Sequence, residues 1–162
     1  FRDRGLALQV VTALAKSGLP PQRLELEVTE RLLLEDNDGT LATMQQLNNL
    51  GVGLSLDDFG TGYSSLNYLR KFPFHKIKID QSFICDLGDE RGAKAIIGAV
   101  ASLGAGLDKI VVAEGIETEE QMKLVASQGC HEGQGYLFGR PMSGEAIRAR
   151  LEAPVTLAQR VA

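Results

Sequence analysis

Five short strand-like segments, separated by helical stretches, recur along this chain, and that rhythm limits its fold more than any other feature. Residues 24–28, 52–57, 76–80, 110–113 and 133–138 read as strands, and their starts lie roughly 23 to 34 residues apart, the interval of right-handed βα units in a parallel sheet. Apolar residues at helical spacing predict helices over 6–16, 40–50, 65–72, 92–103, 118–128 and 143–151, with a short helical turn near 83–87. The ends are marked. Gly18 with Pro20 and Pro21, Gly51, and Pro73 each stop a helix, whereas Thr118 followed by Glu119 and Glu120 starts one.

Doubly wound sheets and TIM barrels share this rhythm, and the alternation inside the strands separates them. Glu25, Glu27 and Thr29, then Gly53, Ser55 and Asp57, then Lys76, Lys78 and Asp80 form a polar or small set; Leu24, Leu26, Val28, Leu54, Leu56, Ile77 and Ile79 form an apolar one. Helices on both faces of a doubly wound sheet make its strands continuously apolar. One polar face instead suits a barrel whose mouth is a reaction site, with the working groups at the C-terminal strand ends. A half-exposed sheet with one solvated face is the other reading. The expected class is α/β, built of TIM-barrel-like parallel βα units.

A chain of 162 residues with 44% hydrophobic and 23% charged side chains can bury a sizeable core. Its formal net charge of −4 argues against a surface for polymeric nucleic acid, and no run of about 18 apolar residues offers a membrane segment. Cys85 and Cys130 sit far apart in apolar or glycine-rich surroundings, which suits reduced thiols and a cytoplasmic setting. His75 and His131 read as incidental, because no second His/Cys set at metal spacing accompanies them.

The chemistry concentrates where the second strand ends. Leu54 and Leu56 alternate with Ser55 and Asp57, and the strand then meets the vicinal acids Asp57 and Asp58 and a loop carrying Gly60 and Gly62. Two adjacent carboxylates repel unless a cation lies between them, and Mg²⁺ or Mn²⁺ suits oxygen ligands. A solvated turn with an Asx cap is the bland alternative. The other strand ends decide the matter together: Glu27 with Glu30, Lys78 with Asp80, Glu114 with Glu117, and Gln134 all stand at the same end. Singly, each has an ordinary reading as an exposed strand residue, a surface ion pair or a helix N-terminal acid. As a set, they suit two divalent cations that activate a water and neutralise a phosphodiester, with a lysine near that water.

These same residues carry a family resemblance. Residues 25–30 (ELEVTE), 57–65 (DDFGTGYSS), 76–83 (KIKIDQSF), 113–118 (AEGIET) and 134–141 (QGYLFGRP) resemble the EAL-domain family of bacterial cyclic di-GMP phosphodiesterases. The resemblance covers about residues 1 to 150. It implies a modified TIM barrel that hydrolyses cyclic di-GMP to linear pGpG with Mg²⁺ or Mn²⁺. By position, it implies Glu27, Asp57, Asp58 and Glu114 as metal ligands, with Asp57 bridging both ions and Asp58 on the second. It makes Lys78 the lysine beside the attacking water, Glu114 also an acid–base group, and Gln134 a late active-site amide. Glu30 is expected to anchor the loop after Asp58, and Asp80 and Glu117 to support substrate and loop. A homodimer and fusion to an upstream sensory or diguanylate cyclase-like domain are the partners that the resemblance implies. His131 stands where the family more often has an acid or amide.

The departures lie at the front. The Glu-Ala-Leu signature, the arginine after it and the Asn of the next strand would precede Phe1, so the chain resembles five of eight strands. We expect residues 1–153 to form a partial EAL phosphodiesterase domain and 154–162 a tail. An isolated partial barrel is expected to be inactive and prone to self-association through an unpaired strand edge. A receptor that binds cyclic di-GMP without cleaving it, or a protein-interaction module, are the competing functions. Retention of every metal position and of the lysine that fall within the chain favours an enzyme.

Overall fold

Alternating apolar positions draw five segments of the chain into one parallel sheet: β1 (Glu25–Thr29), β2 (Gly53–Phe59), β3 (Lys76–Ile79), β4 (Ile110–Ala113) and β5 (Glu132–Gly133), in the order β1-β2-β3-β4-β5. The computed structural model describes residues 5–35, 37–61, 66–85 and 91–152. Expectations for the chain start at Phe1, for residues 62–65 of the glycine loop and the start of the helix there, for the end of the turn near 83–87, and for the tail fall outside the described residues. Helices follow every strand: α2 (Glu30–Glu35) and α3 (Asn37–Asn49) after β1, α4 (Leu66–Lys71) after β2, α5 (Gln81–Cys85) and α6 (Arg91–Gly106) after β3, α7 (Glu119–Ser127) after β4, and α8 (Gly144–Glu152) after β5. Helix α1 (Leu6–Ser17) precedes them and ends at Gly18, whose left-handed backbone (φ 69°) lets its N–H reach Leu14 O.

The apolar side of the sheet carries the core. Val28, Leu54, Leu56, Ile77, Ile79 and Val111 merge with Leu33, Met44, Leu69, Ile84 and Ile97 from the helices into one buried cluster. A smaller cluster of Val10, Leu14, Leu47 and Val52 fastens α1 to α3. The polar side is bent inward, and a single side chain shows it. In a flat sheet β1 and β5 would stand about 19 Å apart, four strand spacings of roughly 4.8 Å. Yet Lys76 Nζ on the central strand lies 3.1 Å from Glu25 on β1 and 2.9 Å from Glu132 on β5. Only a curled, barrel-like arc lets one ammonium reach both. The five parallel βα units with one polar face are therefore as the alternation predicts.

Two local expectations need correction. The fifth strand, read over 133–138, is only two residues long, because the chain turns at once: Gln134 O accepts from Ile116 N, and Leu137 N donates to Ile116 O. A Cβ at Gly135 would lie 2.1 Å from the Ile116 carbonyl oxygen, so the two segments cross at a distance only glycine allows. Helix α2, absent from the sequence reading, begins directly on Glu30 at the end of β1 with no loop to announce it.

The two histidines have a shared structural role. His75 and His131 each stand one residue before a strand, donate a backbone N–H to a neighbouring strand (Leu54 O and Val111 O), and accept that same residue's N–H on Nδ1, at 3.3 and 3.0 Å. The imidazole replaces a backbone carbonyl that the incoming chain cannot yet supply at the first rung of the ladder. His131→Ala leaves the Val111 N–H without this acceptor and should lower stability by about 1–3 kcal/mol, read as a shift in urea midpoint at unchanged m-value; no shift would remove the capping role.

Candidate functional site

A β-bulge brings the vicinal acids to one place. In a regular strand Asp57 and Asp58 would point to opposite faces. The β2–β3 register slips between Leu56 and Phe59, and Asp58 takes a left-handed backbone (φ 55°), unusual outside glycine. The turn is held by Thr61, whose N–H and Oγ1 both donate to Asp58 O, at 3.3 and 2.9 Å. Gly60 follows at φ 101°, as its glycine identity predicts, with the Phe83 ring packed where a Cβ would stand. Asp57, Asp58 and Glu114 can consequently bring one carboxylate oxygen each within 4.8 Å of one another.

Lys78 sits in the middle of these acids. Its side chain is 5% exposed, and its ammonium lies 2.5 Å from Glu27, 2.6 Å from Glu114 and 3.0 Å from Asp57, so β1, β2 and β4 all send a carboxylate to β3. Burial alone would lower the lysine's pKa; the three carboxylates overcome that and hold it above its usual value. The acids feel the reverse. Burial pushes Glu114 up, Lys78 opposes it, and Asp57 and Glu27 add to the rise. Burial, then Asp57 and Asp80, push Asp58 up while Lys78 pulls it down. Asp57 Oδ1 is buried and makes no hydrogen bond; its contact with Lys78 is an ion pair without hydrogen-bond geometry. Four carboxylates gathered around one ammonium leave an excess of negative charge, and an all-oxygen donor set of this kind fits a divalent cation as the further positive charge.

The cluster opens into a cavity of about 320 Å³ lined by Asp58, Asp80, Gln81, Glu114, Gly115, Glu117, Gln134, Gly135 and Tyr136. Of the residues singled out from sequence, Asp58, Asp80, Glu114, Glu117 and Gln134 line this cavity, and Glu27, Asp57 and Lys78 join it through Glu114. Glu27 remains half-exposed and outside the three-acid group. Asp80 accepts the N–H and Oγ of Ser82, at 3.0 and 2.5 Å, and so sits at the start of α5. Glu30 is buried at the first turn of α2 and is not a cavity-lining residue. Gln81, Gly115, Gly135 and Tyr136 were not singled out. Each lies within two residues of one that was, and that adjacency was the available signal. Tyr136 is half-exposed, with the Arg140 guanidinium 4.4 Å over its ring.

Comparison with known proteins places this geometry. The bifunctional diguanylate cyclase/cyclic di-GMP phosphodiesterase MucR of Pseudomonas aeruginosa is 45% identical over 149 residues, covering 92% of this chain and 22% of MucR. A solved structure of the MucR phosphodiesterase in complex with c-di-GMP superposes with a TM-score of 0.85 at 45% identity, covering 89% of this chain and 58% of that one. The manganese/cy-diGMP complex of Klebsiella pneumoniae BlrP1 at pH 9.0 gives 0.80 at 34% identity, covering 86% and 36%. The chain spans about a fifth of the length of the curated relatives it matches. Among the described residues, no helix is long and apolar enough to cross a membrane. The EAL domain model matches residues 1–141, which take in the bulged acids, the buried lysine and the clustered strand ends alike, and on that match this chain belongs to the EAL domain family.

Proposed function

We propose that this chain contributes the metal-binding strand ends of a cyclic di-GMP phosphodiesterase that yields linear pGpG. The observation that carries this reading is the group of Asp57, Asp58 and Glu114 around the buried Lys78, opening on one cavity. Water attacks a phosphorus of the cyclic dinucleotide, the P–O bond to one ribose breaks, and the departing oxygen takes the water's proton. Two divalent cations, Mg²⁺ or Mn²⁺, held by Glu27, Asp57, Asp58 and Glu114, would neutralise phosphate charge and activate that water. Lys78, permanently charged by its three carboxylates, orients the attacking water and offsets charge that grows in the transition state. Glu114, with its raised pKa, is the group suited to exchange a proton there. Gln134 offers an amide to the substrate, while Asp80, Glu117 and Glu30 support the surrounding loops. Free Cys85 and Cys130 fit a cytoplasmic setting. A homodimer and fusion to an upstream sensory or cyclase-like domain complete the proposal; the fusion, but not the homodimer, is supported by MucR's bifunctional description.

The metal reading is tested on the protein itself. Mn²⁺ titration should show binding that Asp57→Asn weakens by more than about 10-fold, since losing a direct ligand costs more than losing a residue that only supports one. Because Asp58 and Glu114 hold their protons above the ordinary carboxylate pKa of about 4, the Mn²⁺-induced rise in Tm should grow as pH climbs through and above that range. Equal nucleotide binding in excess chelator would reject the metal reading. In an EAL domain containing these residues, Lys78→Ala should lower kcat far more than it weakens binding, as expected of a contact made mainly in the transition state. Binding of cyclic di-GMP with Mn²⁺ but without product would favour a receptor instead.

A further inference from the structure

We infer that Gln121, outside the acidic cluster, is a positioning residue that sets the separation of two walls of the cavity. One wall is Asp80 and Gln81, where β3 ends and α5 begins; the other is Glu114, Gly115 and Glu117, where β4 ends. Gln121 is the third residue of α7 and completes a capping box with Thr118. Its Oε1 accepts the N–H of Glu117 at 2.8 Å and of Thr118 at 3.0 Å, and Thr118 Oγ1 accepts the Gln121 N–H at 3.2 Å. The other half of the same amide leaves the helix. Its Nε2 donates 3.3 Å to Ile84 O in α5.

One planar group thus holds the β4 wall with its oxygen and the β3 wall with its nitrogen. The walls meet again at Gly115, whose left-handed backbone (φ 73°) lies so near Gln81 that a Cβ would stand 2.5 Å from the Gln81 Cβ. On its far side the β4 wall is tied to the β5 turn through Ile116, which donates to Gln134 O and accepts from Leu137 N. A capping box alone would be served by Glu at this position as well as by Gln. Glu offers no donor to Ile84, so the amide is explained by the bridge and not by the cap. The position of Gln81 relative to Glu117 is therefore fixed through a residue that does not line the cavity.

This inference rests on the proposed nucleotide function for its effect on ligand, but not for its structural content. Gln121→Glu separates the two halves of the amide: the capping box survives and the bridge does not. Hydrogen exchange on the 162-residue protein should show Glu117 and Thr118 protected as in the parent, while exchange across Gln81–Cys85 rises about tenfold. Gln121→Ala should expose both. Binding of cyclic di-GMP in Ca²⁺ should weaken several-fold in Gln121→Glu, with Mn²⁺ affinity in the absence of nucleotide unchanged. Unaltered exchange across α5 in Gln121→Glu overturns the inference, whether or not nucleotide binds. If the parent binds no nucleotide while α5 exchange still rises in the variant, the proposed function fails and the positioning role stands.

Discussion

The buried ammonium of Lys78 is the contact on which the polar side of this molecule depends. Removing a charged amine from water is costly unless oppositely charged groups surround it. Here they come from three other strands, so the lysine both requires and enforces the convergence of β1, β2 and β4 on β3. Lys76 does the same two residues earlier with Glu25 and Glu132, but its own side chain is more exposed than that of Lys78, so water screens the attraction. The two lysines stand on the same side of one strand. One keeps the arc curled where the strands begin, and the other gathers the acids where they end.

Much of this was legible in the sequence because it depends on local pattern. The two-residue alternation of Lys76, Ile77, Lys78 and Ile79 announces a strand with one polar face, and Thr118 followed by Glu119 and Glu120 announces the start of α7. What sequence could not show depends on contacts between segments. The 133–138 run looks like a strand because Tyr136, Leu137 and Phe138 favour one, yet the close crossing of Gly135 and Ile116 turns it. The histidines look idle because their partners, Leu54 and Val111, lie about twenty residues upstream. The acids were found because their strand ends coincide, whereas Gln81 and Gly115 owe their place in the cavity to the start of α5 packing on the segment after β4.

The site also divides its work between stiffness and charge. The β4 end is clasped on one side by Gln121 and on the other by the β5 turn, so Glu114 rises from a segment with few ways to move. Crowding of carboxylates is tolerable only on such a frame, since a mobile loop would relieve repulsion by moving apart. Rigidity here preserves an unfavourable charge distribution that a looser segment would relax.

The bulge at Asp57 and Asp58 has a consequence for how this sequence can vary in length. Neighbouring side chains change faces with every residue of a regular strand, and the slipped register with one left-handed residue is what keeps both carboxylates on the same side. Asp57 and Asp58 are the two residues between the core residues Leu56 and Phe59, so a deletion that restored the regular pleat would remove one of the acids and leave the other alone on the polar side. Side chains around the cavity can be exchanged one at a time. The count of residues between Leu56 and Phe59 is what lets two successive acids share one side, and one residue fewer leaves a single carboxylate there.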